Sequence, residues 1–382
     1  MMSQSAPMIF GAGSLADLGG QINMRGVKKV IIVTDKGVTG AGVTAKVESV
    51  IQAAGIEYAV YDECLSDAPS DSITVAAKAI RESGAGLIVA LGGGSSLDTA
   101  KAASQIIKED KPITDFAYKP PRENDLPIIT IPTTSGTGSE VTIYAVISDS
   151  ANSKKFGVMT SGAVLAIVDP ELTLGLPPQI TAMTGMDVVA HSVEAITGAQ
   201  RNAMSDLRGF EALRLVNAHL YKAVTEGSDI AARSGMSLAS SLAGMAFSNS
   251  ITTLGHAISQ ALASAFHLHH GLLCGLATPP ELELFATVVP ERVRRIGETF
   301  GADVPYDASP EQIGKITADA LRAFMSRIGI KSFEQMGYSR KDLTDQTDEL
   351  MKEGMKDFSP LPIPRDVAYK VLDGMYDYSG AK

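Results

Sequence analysis

The chain has 382 residues, 45% of them hydrophobic and 20% charged, which is typical of a globular protein large enough for two domains. Its net charge of −10 comes without a run of basic residues, which argues against a nucleic-acid partner, because phosphate binding needs clustered Lys and Arg. No apolar stretch is long enough to span a membrane and the N-terminus lacks a signal-peptide pattern, so we expect a cytoplasmic protein without a membrane partner.

Short strands alternate with helices through the first half of the chain. The predicted helices there cover about 41–54 and 73–83. The β-branched, largely apolar runs that predict strands are 8–10, 30–33, 57–61, 86–91, 127–131 and 164–168. This alternation predicts a parallel sheet with helices on both faces.

From about residue 178 the pattern changes to long segments rich in Ala, Leu and Met. Their spacing predicts helices over 205–224, 229–247, 251–265, 271–287 and 310–328. We therefore predict an α/β domain formed by residues 1–180 and an α-helical domain formed by residues 181–382.

A glycine-rich turn, Gly92-Gly-Gly-Ser95, lies where a predicted strand ends and a helix begins. Backbone amides at such a turn can approach a phosphate, and the helix dipole favours the negative charge. The spacing fits neither G-x-G-x-x-G nor a P-loop, and a plain tight turn is the alternative. Asp98 and Lys101 on the next helical turn favour a functional loop.

Two further polar segments follow strands of the same predicted sheet. Asp35 could accept hydrogen bonds from an adenosine ribose and repel a 2′-phosphate, which would favour NAD over NADP, although such an Asp is more often a cap. The stretch Thr133–Glu140 is either a turn or a nucleotide-binding loop. Three loops at strand ends predict a ligand crevice.

All six histidines lie between Gly185 and Gly271. Asp187 and His191 are four residues apart and would share one face of a helix, and His256 and His270 could complete a site for Fe²⁺ or Zn²⁺. Glu194, on the same face, either orients a ligand or is a solvated carboxylate. His219 has no such context, and we expect it to be exposed.

Four motifs together resemble the iron-containing (group III) alcohol dehydrogenases. They are Gly92-Gly-Gly-Ser-Ser-Leu-Asp98-Thr-Ala-Lys101, Ile131-Pro-Thr-Thr-Ser-Gly-Thr-Gly-Ser-Glu140, Gly185-Met-Asp187-Val-Val-Ala-His191, and His256 with His270-Gly271. The resemblance covers nearly the whole chain. It implies a dehydroquinate-synthase-like fold with an N-terminal Rossmann-like dinucleotide-binding domain, a C-terminal all-α-helical metal-binding domain, and an active site in the cleft between them.

The resemblance also implies the residues of both sites. The metal ligands fall on Asp187, His191, His256 and His270. The predicted contacts with NAD fall on Asp35, Gly93, Gly94, Ser95, Asp98, Thr133, Thr134, Thr137, Thr142 and Lys155, with either Asp67 or Ala68 in a loop where relatives often carry Asn before Pro.

The chain departs from the family pattern at several positions. Gln260 stands where many members carry a histidine close to the nicotinamide, and a glutamine can form hydrogen bonds but cannot exchange a proton near neutral pH. A catalytic proton relay through Gln260 is therefore in doubt. His269 replaces a common Pro, His267 matches a position that is not a ligand, and Ile363-Pro-Arg365 replaces an Asn-Pro-Arg turn.

The predicted function is metal-dependent, NAD(H)-linked interconversion of a small primary alcohol and its aldehyde by hydride transfer. Fe²⁺ is the expected metal, with Zn²⁺ as an alternative, and the resemblance implies at least a homodimer. Other possibilities are a reductase of a small charged or hydroxylated carbonyl compound, of glycerol dehydrogenase or maleylacetate reductase type, and a non-catalytic NAD-binding protein.

Overall fold

The computed structural model describes residues 5–109, 111–152 and 154–378. The chain divides into two compact units, the first ending at Gly175 and the second beginning at Leu176. This division lies close to the predicted boundary near residue 180. The assignment of a separate function to each unit remains a prediction.

The strands in the described part of the first unit are β1 Met8–Phe10, β2 Lys29–Val33, β3 Glu57–Tyr61, β4 Leu87–Gly92, β5 Ile128–Pro132, β6 Tyr144–Asp149, β7 Lys154–Met159 and β8 Leu165–Val168. Six of them form a sheet with the order β1-β8-β5-β4-β2-β3, in which every neighbouring pair is parallel. The other two, β6 and β7, form an antiparallel hairpin that was not predicted.

Both faces of the sheet are covered. Along β4, Leu87, Val89 and Leu91 belong to one apolar cluster, whereas Ile88 and Ala90 belong to another, as alternating side chains of a strand must. The helices are α1 Leu18–Met24, α2 Lys36–Gly40, α3 Val43–Ala53, α4 Ser70–Ser83 and α5 Gly94–Ala103. The predicted α/β fold is therefore confirmed.

The carboxyl ends of β2, β4 and β5 lie side by side, because β4 pairs in parallel with both of the other strands. The three polar loops that the sequence singled out follow these three strands. They accordingly meet at one edge of the sheet, which is where open α/β sheets bind ligands.

The second unit is helical, as predicted. Its helices are α6 Pro178–Thr197, α7 Ala203–Thr225, α8 Ile230–Phe247, α9 Leu254–Phe266, α10 His270–Phe285, α11 Pro290–Thr299, α12 Pro310–Arg327, α13 Arg340–Thr344, α14 Thr347–Lys352 and α15 Arg365–Gly374. Every residue of α6 from Thr181 onward is buried, so this helix is the centre of the unit. Among the described residues, no helix combines the length and apolarity needed to cross a membrane.

Helix α10 carries two consecutive prolines, Pro279 and Pro280, in its interior. Because proline has no N–H, the helical hydrogen bonds that would end on the carbonyls of Gly275 and Leu276 are missing. The hydrogen-bonded ladder of α10 is thus interrupted between its first turns and its last turns.

Candidate functional site

The four predicted metal ligands lie together in the helical unit. Asp187 and His191 come from consecutive turns of α6, His256 from α9, and His270 from the first residue of α10. Asp187 Oδ1 is 3.9 Å from His256 Nε2 and 3.8 Å from His270 Nε2, and Asp187 Oδ2 is 4.0 Å from His191 Nδ1. The ring centroids of His191 and His256 are 4.5 Å apart, with the ring planes tilted by 30°.

The donor atoms of this cluster fit a divalent cation. Asp187 and His256 are 3% and 5% exposed, and within the described residues Asp187 Oδ1 and His256 Nε2 have no hydrogen-bond partner. Leaving such atoms unsatisfied in the interior is costly, whereas a cation would satisfy both. Although burial opposes ionisation, the charges of His191, His270 and His256 hold the pKa of Asp187 below its ordinary value.

Neighbouring side chains fix the orientation of two histidines. Glu194 is fully buried, and its Oε1 lies 2.7 Å from His256 Nδ1 while its Oε2 accepts from the Thr253 amide. Ser259 Oγ lies 2.8 Å from His270 Nδ1 and donates to the His270 carbonyl oxygen. In its neutral form each imidazole therefore donates through Nδ1 and carries its lone pair on Nε2, the nitrogen that faces Asp187, where a cation would bind. The alternative of a solvated Glu194 is wrong.

A further buried acidic residue, Glu281 of α10, was missed by the sequence analysis. Its Oε1 accepts from Thr253 Oγ1 at 3.1 Å and from the Gly255 amide at 3.3 Å. Burial, followed by the charge of Glu194, raises the pKa of Glu281 well above its ordinary value. A Cβ at Gly255 would lie 2.6 Å from Glu194 Oε1 and 3.1 Å from Glu281 Oε2, so glycine there leaves room for both carboxylates.

Cys274 was also missed. One potential ligand atom from each of Asp187, His256, His270 and Cys274 lies within 4.8 Å of the others, and Cys274 Sγ is 3.6 Å from His270 Nε2. The available signal was the spacing of four residues between His270 and Cys274, the same spacing that linked Asp187 to His191.

The remaining predicted residues of this unit fall in different places. Gln260 lies one turn after His256 on α9 and is half-buried, and its catalytic role remains a prediction. His219, which we expected to be exposed, is half-buried because its ring packs over Gly235, where an added Cβ would lie 2.7 Å from Nε2. His269 caps α10 by accepting from the Gly271 amide, and His267 ends α9 in the left-handed conformation.

In the α/β unit, Asp35 links two of the three polar loops. It caps α2, because Oδ1 accepts from the Val38 amide at 3.0 Å, and its Oδ2 accepts from Ser96 Oγ at 2.8 Å. The cap interpretation is therefore confirmed. The predicted contact between Asp35 and the ribose of NAD remains a prediction.

The glycine turn packs closely against the threonine loop. A Cβ at Gly94 would lie 2.6 Å from Thr137 Cγ2, and one at Gly93 would lie 3.4 Å from Thr134 Cγ2, so larger residues would push the loops apart. Helix α5 begins at Gly94 without a side-chain cap. Its first amides therefore point to a place where a phosphate could bind, as predicted for this turn.

Lys101 and Asp98 connect α5 to the start of β6 and to the segment before it. Lys101 is fully buried; it donates to the carbonyl oxygens of Ser139, at 3.0 Å, and Tyr144, and its Nζ is 3.3 Å from Asp98 Oδ1. Burial lowers the pKa of Lys101 despite the Asp98 charge.

Thr142, also buried, is 3.4 Å from Lys101 Nζ. These contacts give Asp98 and Thr142 structural roles, and their contacts with NAD remain predictions, like that of buried Thr133.

The loop before α4 brings three predicted residues together. Asp67 Oδ1 is 2.5 Å from Lys155 Nζ, and the Asp67 amide donates to Ser95 Oγ at 3.0 Å. Ala68 is fully buried and has an apolar side chain, so of the two candidate residues only Asp67 offers a polar side chain for a cofactor contact. Both residues have positive φ, at 60° and 43°, a conformation that costs free energy for non-glycine residues and often marks a functional loop.

Two family models match this chain. The model for iron-containing alcohol dehydrogenase matches residues 5–170, and the C-terminal model of the Fe-containing alcohol dehydrogenase family matches residues 181–375. Together they cover nearly all of the two units described above.

Curated relatives and solved structures agree with these models. The chain is 32% identical to choline dehydrogenase of Bacillus subtilis, covering 96% of this chain and 91% of that protein. It is 33% identical to sulfoacetaldehyde reductase of Bilophila wadsworthia, with 97% of each chain covered. The crystal structure of sulfoacetaldehyde reductase from Bifidobacterium kashiwanohense in complex with NAD⁺ is 28% identical and has a TM-score of 0.86, covering 97% of each chain.

Proposed function

Since this chain belongs to the iron-containing alcohol dehydrogenase family, and is thus an NAD-dependent alcohol dehydrogenase or aldehyde reductase, we propose that its substrate is a small primary alcohol or the matching aldehyde. We assign the metal site to Asp187, His191, His256 and His270. The observation that carries this assignment is the convergence of Asp187 Oδ1 and His256 Nε2, both buried without a hydrogen-bond partner in the described chain. Family membership sets the non-catalytic alternative aside.

The residues around the site prepare it for proton removal and hydride transfer. A divalent ion here would supply Lewis acidity that lowers the pKa of the alcohol hydroxyl, and NAD accepts the hydride. Asp187 supplies negative charge, and Glu194 holds His256 in one tautomer. Gln260 can position a hydroxyl through a hydrogen bond but cannot take its proton, so we propose that the proton leaves through water.

In the α/β unit, we propose that NAD is held at the edge of the sheet by the loops after β2, β4 and β5. The amides at the start of α5 would bind the diphosphate, while Asp35, Asp67 and Lys155 would surround the ribose hydroxyls. Asp35 favours NAD over NADP because its carboxylate would repel a 2′-phosphate. Binding of both cofactors to wild type and Asp35→Ala tests this, and the variant should gain affinity for NADP relative to NAD.

Metal removal tests the proposed chemistry. Chelation should abolish NAD-linked turnover, and Fe²⁺ or Zn²⁺ should restore it. His270→Ala should lose metal and activity while keeping NADH binding. His267→Gly is the matched control, because His267 is exposed and its φ of 51° suits glycine, and it should keep both properties. Unchanged turnover after verified metal removal would refute the proposal.

A charged two-carbon substrate is the second candidate, because two relatives point to it. In choline and in sulfoacetaldehyde, the charged group is attached to the carbon next to the one that bears the alcohol or aldehyde oxygen. The enzymes named for these two compounds are 32% and 33% identical to this chain. A panel of ethanol, 1-propanol, glycerol, choline and isethionate separates the candidates by kcat/KM. A preference for choline or isethionate would support this second candidate, a preference for ethanol or 1-propanol would exclude it, and a preference for glycerol would exclude it and indicate a hydroxylated substrate.

We also infer a cytoplasmic location and a homo-oligomer of at least two chains. NAD(H) is the cofactor of an intracellular redox pool, and the two cysteines, Cys64 and Cys274, are free and buried. The oligomer rests on the family resemblance. Cell fractionation and light scattering of the purified chain test the two inferences.

A further inference from the structure

Cys274 lies on the same face of α10 as His270, one turn later. Its side chain is fully buried, and Sγ is 3.6 Å from His270 Nε2, the nitrogen that also faces Asp187 Oδ1 at 3.8 Å. The Nε2 donor of His270 therefore has a sulfur atom beside it, and the donors of Asp187 and His256 lie within 4.8 Å of that sulfur atom.

The distances among these atoms match a metal coordination sphere. Zinc–nitrogen and zinc–oxygen bonds of about 2.0–2.1 Å and zinc–sulfur bonds of about 2.3 Å imply donor–donor separations of roughly 3.3–3.7 Å in a tetrahedron. The observed separations are 3.6 Å, 3.8 Å and 3.9 Å, and the four donors all lie within 4.8 Å of one another. The separations of 3.6–3.9 Å would close around one ion with a contraction of a few tenths of an ångström, and a separation at the 4.8 Å limit with a contraction of about 1 Å.

We propose that Cys274 Sγ binds the same metal ion as Asp187, His256 and His270. The proposal rests on the metal site proposed above and adds a donor to it without requiring His191 to leave. On binding, the thiol releases its proton to solvent and the thiolate becomes the ligand. Because thiolate is a soft ligand, Cys274 shifts the relative affinity of the site toward Zn²⁺ and away from Fe²⁺.

The alternative is that Cys274 fills space as a small apolar side chain, which is common for buried cysteines. The chain offers such a cysteine for comparison. Cys64 is buried in the α/β unit, apart from the histidine cluster, and burial raises the pKa of its thiol to about 12. Cys64→Ala is accordingly the matched control for Cys274→Ala.

Cobalt substitution in the full-length chain provides the test, because a sulfur ligand gives Co²⁺ an intense near-ultraviolet charge-transfer absorption that nitrogen and oxygen ligands do not give. Wild type and Cys64→Ala should bind one Co²⁺ per chain and show this band, and Cys274→Ala should lose it. Zn²⁺ affinity of Cys274→Ala should fall by at least the roughly 10–100-fold seen for changes in supporting residues, and Fe²⁺ affinity should fall less.

The other outcomes separate this proposal from the metal site itself. One bound Co²⁺ per wild-type chain without the band overturns the role of Cys274 and leaves the metal site intact. A band that persists in Cys274→Ala also overturns it. Failure of the wild type to bind Co²⁺, Zn²⁺ or Fe²⁺ stoichiometrically refutes the metal site and the Cys274 proposal together. If Cys274→Ala fails to fold, the spectra of wild type and Cys64→Ala with bound Co²⁺ still show whether a sulfur atom binds the metal.

Discussion

Gly271 sets the distance between α6 and α10, two of the three helices that carry metal-site residues. A Cβ added at Gly271 would lie 2.9 Å from Asp187 Cβ and closer still to the carbonyl oxygen of Met183, both on α6. Since ordinary contacts of a Cβ begin near 3.4 Å, the start of α10 would have to move by about 0.5 Å or more from α6. Gly271→Ala would therefore displace the adjacent His270 from Asp187.

The expected effect on the metal site is larger than the effect on the fold. Overpacking costs about 1–3 kcal/mol in the free energy of unfolding. Metal–ligand distances tolerate only about 0.2 Å, so a shift of about 0.5 Å should weaken metal binding by at least about tenfold, or about 1.4 kcal/mol. Activity should fall with metal occupancy.

Gly314→Ala is a matched control on α12. Its Cβ would lie 2.9 Å from Glu283 Cα, near the other end of α10, which matches the 2.9 Å contact of Gly271 with Asp187 Cβ, although the contact of Gly271 with the Met183 carbonyl oxygen is closer. Both variants replace a helical Gly with Ala and crowd α10 against a neighbouring helix. Zn²⁺ affinity is measured by competition with a chromogenic chelator, and stability by melting of the metal-free proteins.

Similar losses of stability with a loss of Zn²⁺ affinity in Gly271→Ala alone would support the reasoning. If the two variants bind Zn²⁺ equally well, the packing of α6 against α10 does not position His270, and the argument fails.

Two buried carboxylates give further predictions. Glu194→Gln should reduce metal affinity by roughly 10–100-fold, because it removes the negative charge beside His256. In addition, the amide NH₂ of the glutamine must face either the N–H of Thr253 or that of His256, so two donors would oppose each other. Metal affinity equal to that of wild type would contradict this. Burial and the charge of Glu194 raise the pKa of Glu281, so the folded chain should keep a proton on Glu281 at pH values where the unfolded chain has released it. Stability should therefore fall as pH rises above the ordinary pKa of 4.5, by up to about 1.4 kcal/mol per pH unit, until the raised pKa is passed. Glu281→Gln should remove this slope in denaturant titrations at several pH values, and an unchanged slope would exclude Glu281 as its source.

The sequence predicts the inner strands β2, β4, β5 and β8 well because both of their faces are buried, which leaves short continuous apolar runs. Every second residue in the central part of the hairpin formed by β6 and β7 is buried, but outward-facing residues such as Val146 and Met159 are apolar too, so the sequence shows no clean alternation there. Its position depends on tertiary contacts such as that of Lys101 with the Tyr144 carbonyl oxygen.

The same limit applies to the candidate site. Asp187 and His191 are visible in the sequence because one helix fixes their spacing, whereas the partners of His256 depend on which faces of α6, α9 and α10 meet. In the sequence, Glu281 is one of two acidic residues, with Glu283, in an otherwise apolar segment, and Cys274 resembles another apolar residue of that segment. His219 was predicted wrongly because the glycine that accommodates its ring lies on a different helix.

The two prolines of α10 separate the turns that carry His270 and Cys274 from the rest of that helix. Without the two hydrogen bonds across this point, the opening of the first turns need not propagate into the last ones. We expect amides of residues 271–278 to exchange with solvent at a lower free energy than global unfolding, and equal protection along α10 would contradict this. Such local opening would let the enzyme take up or exchange its metal while the remainder of the helical unit stays folded.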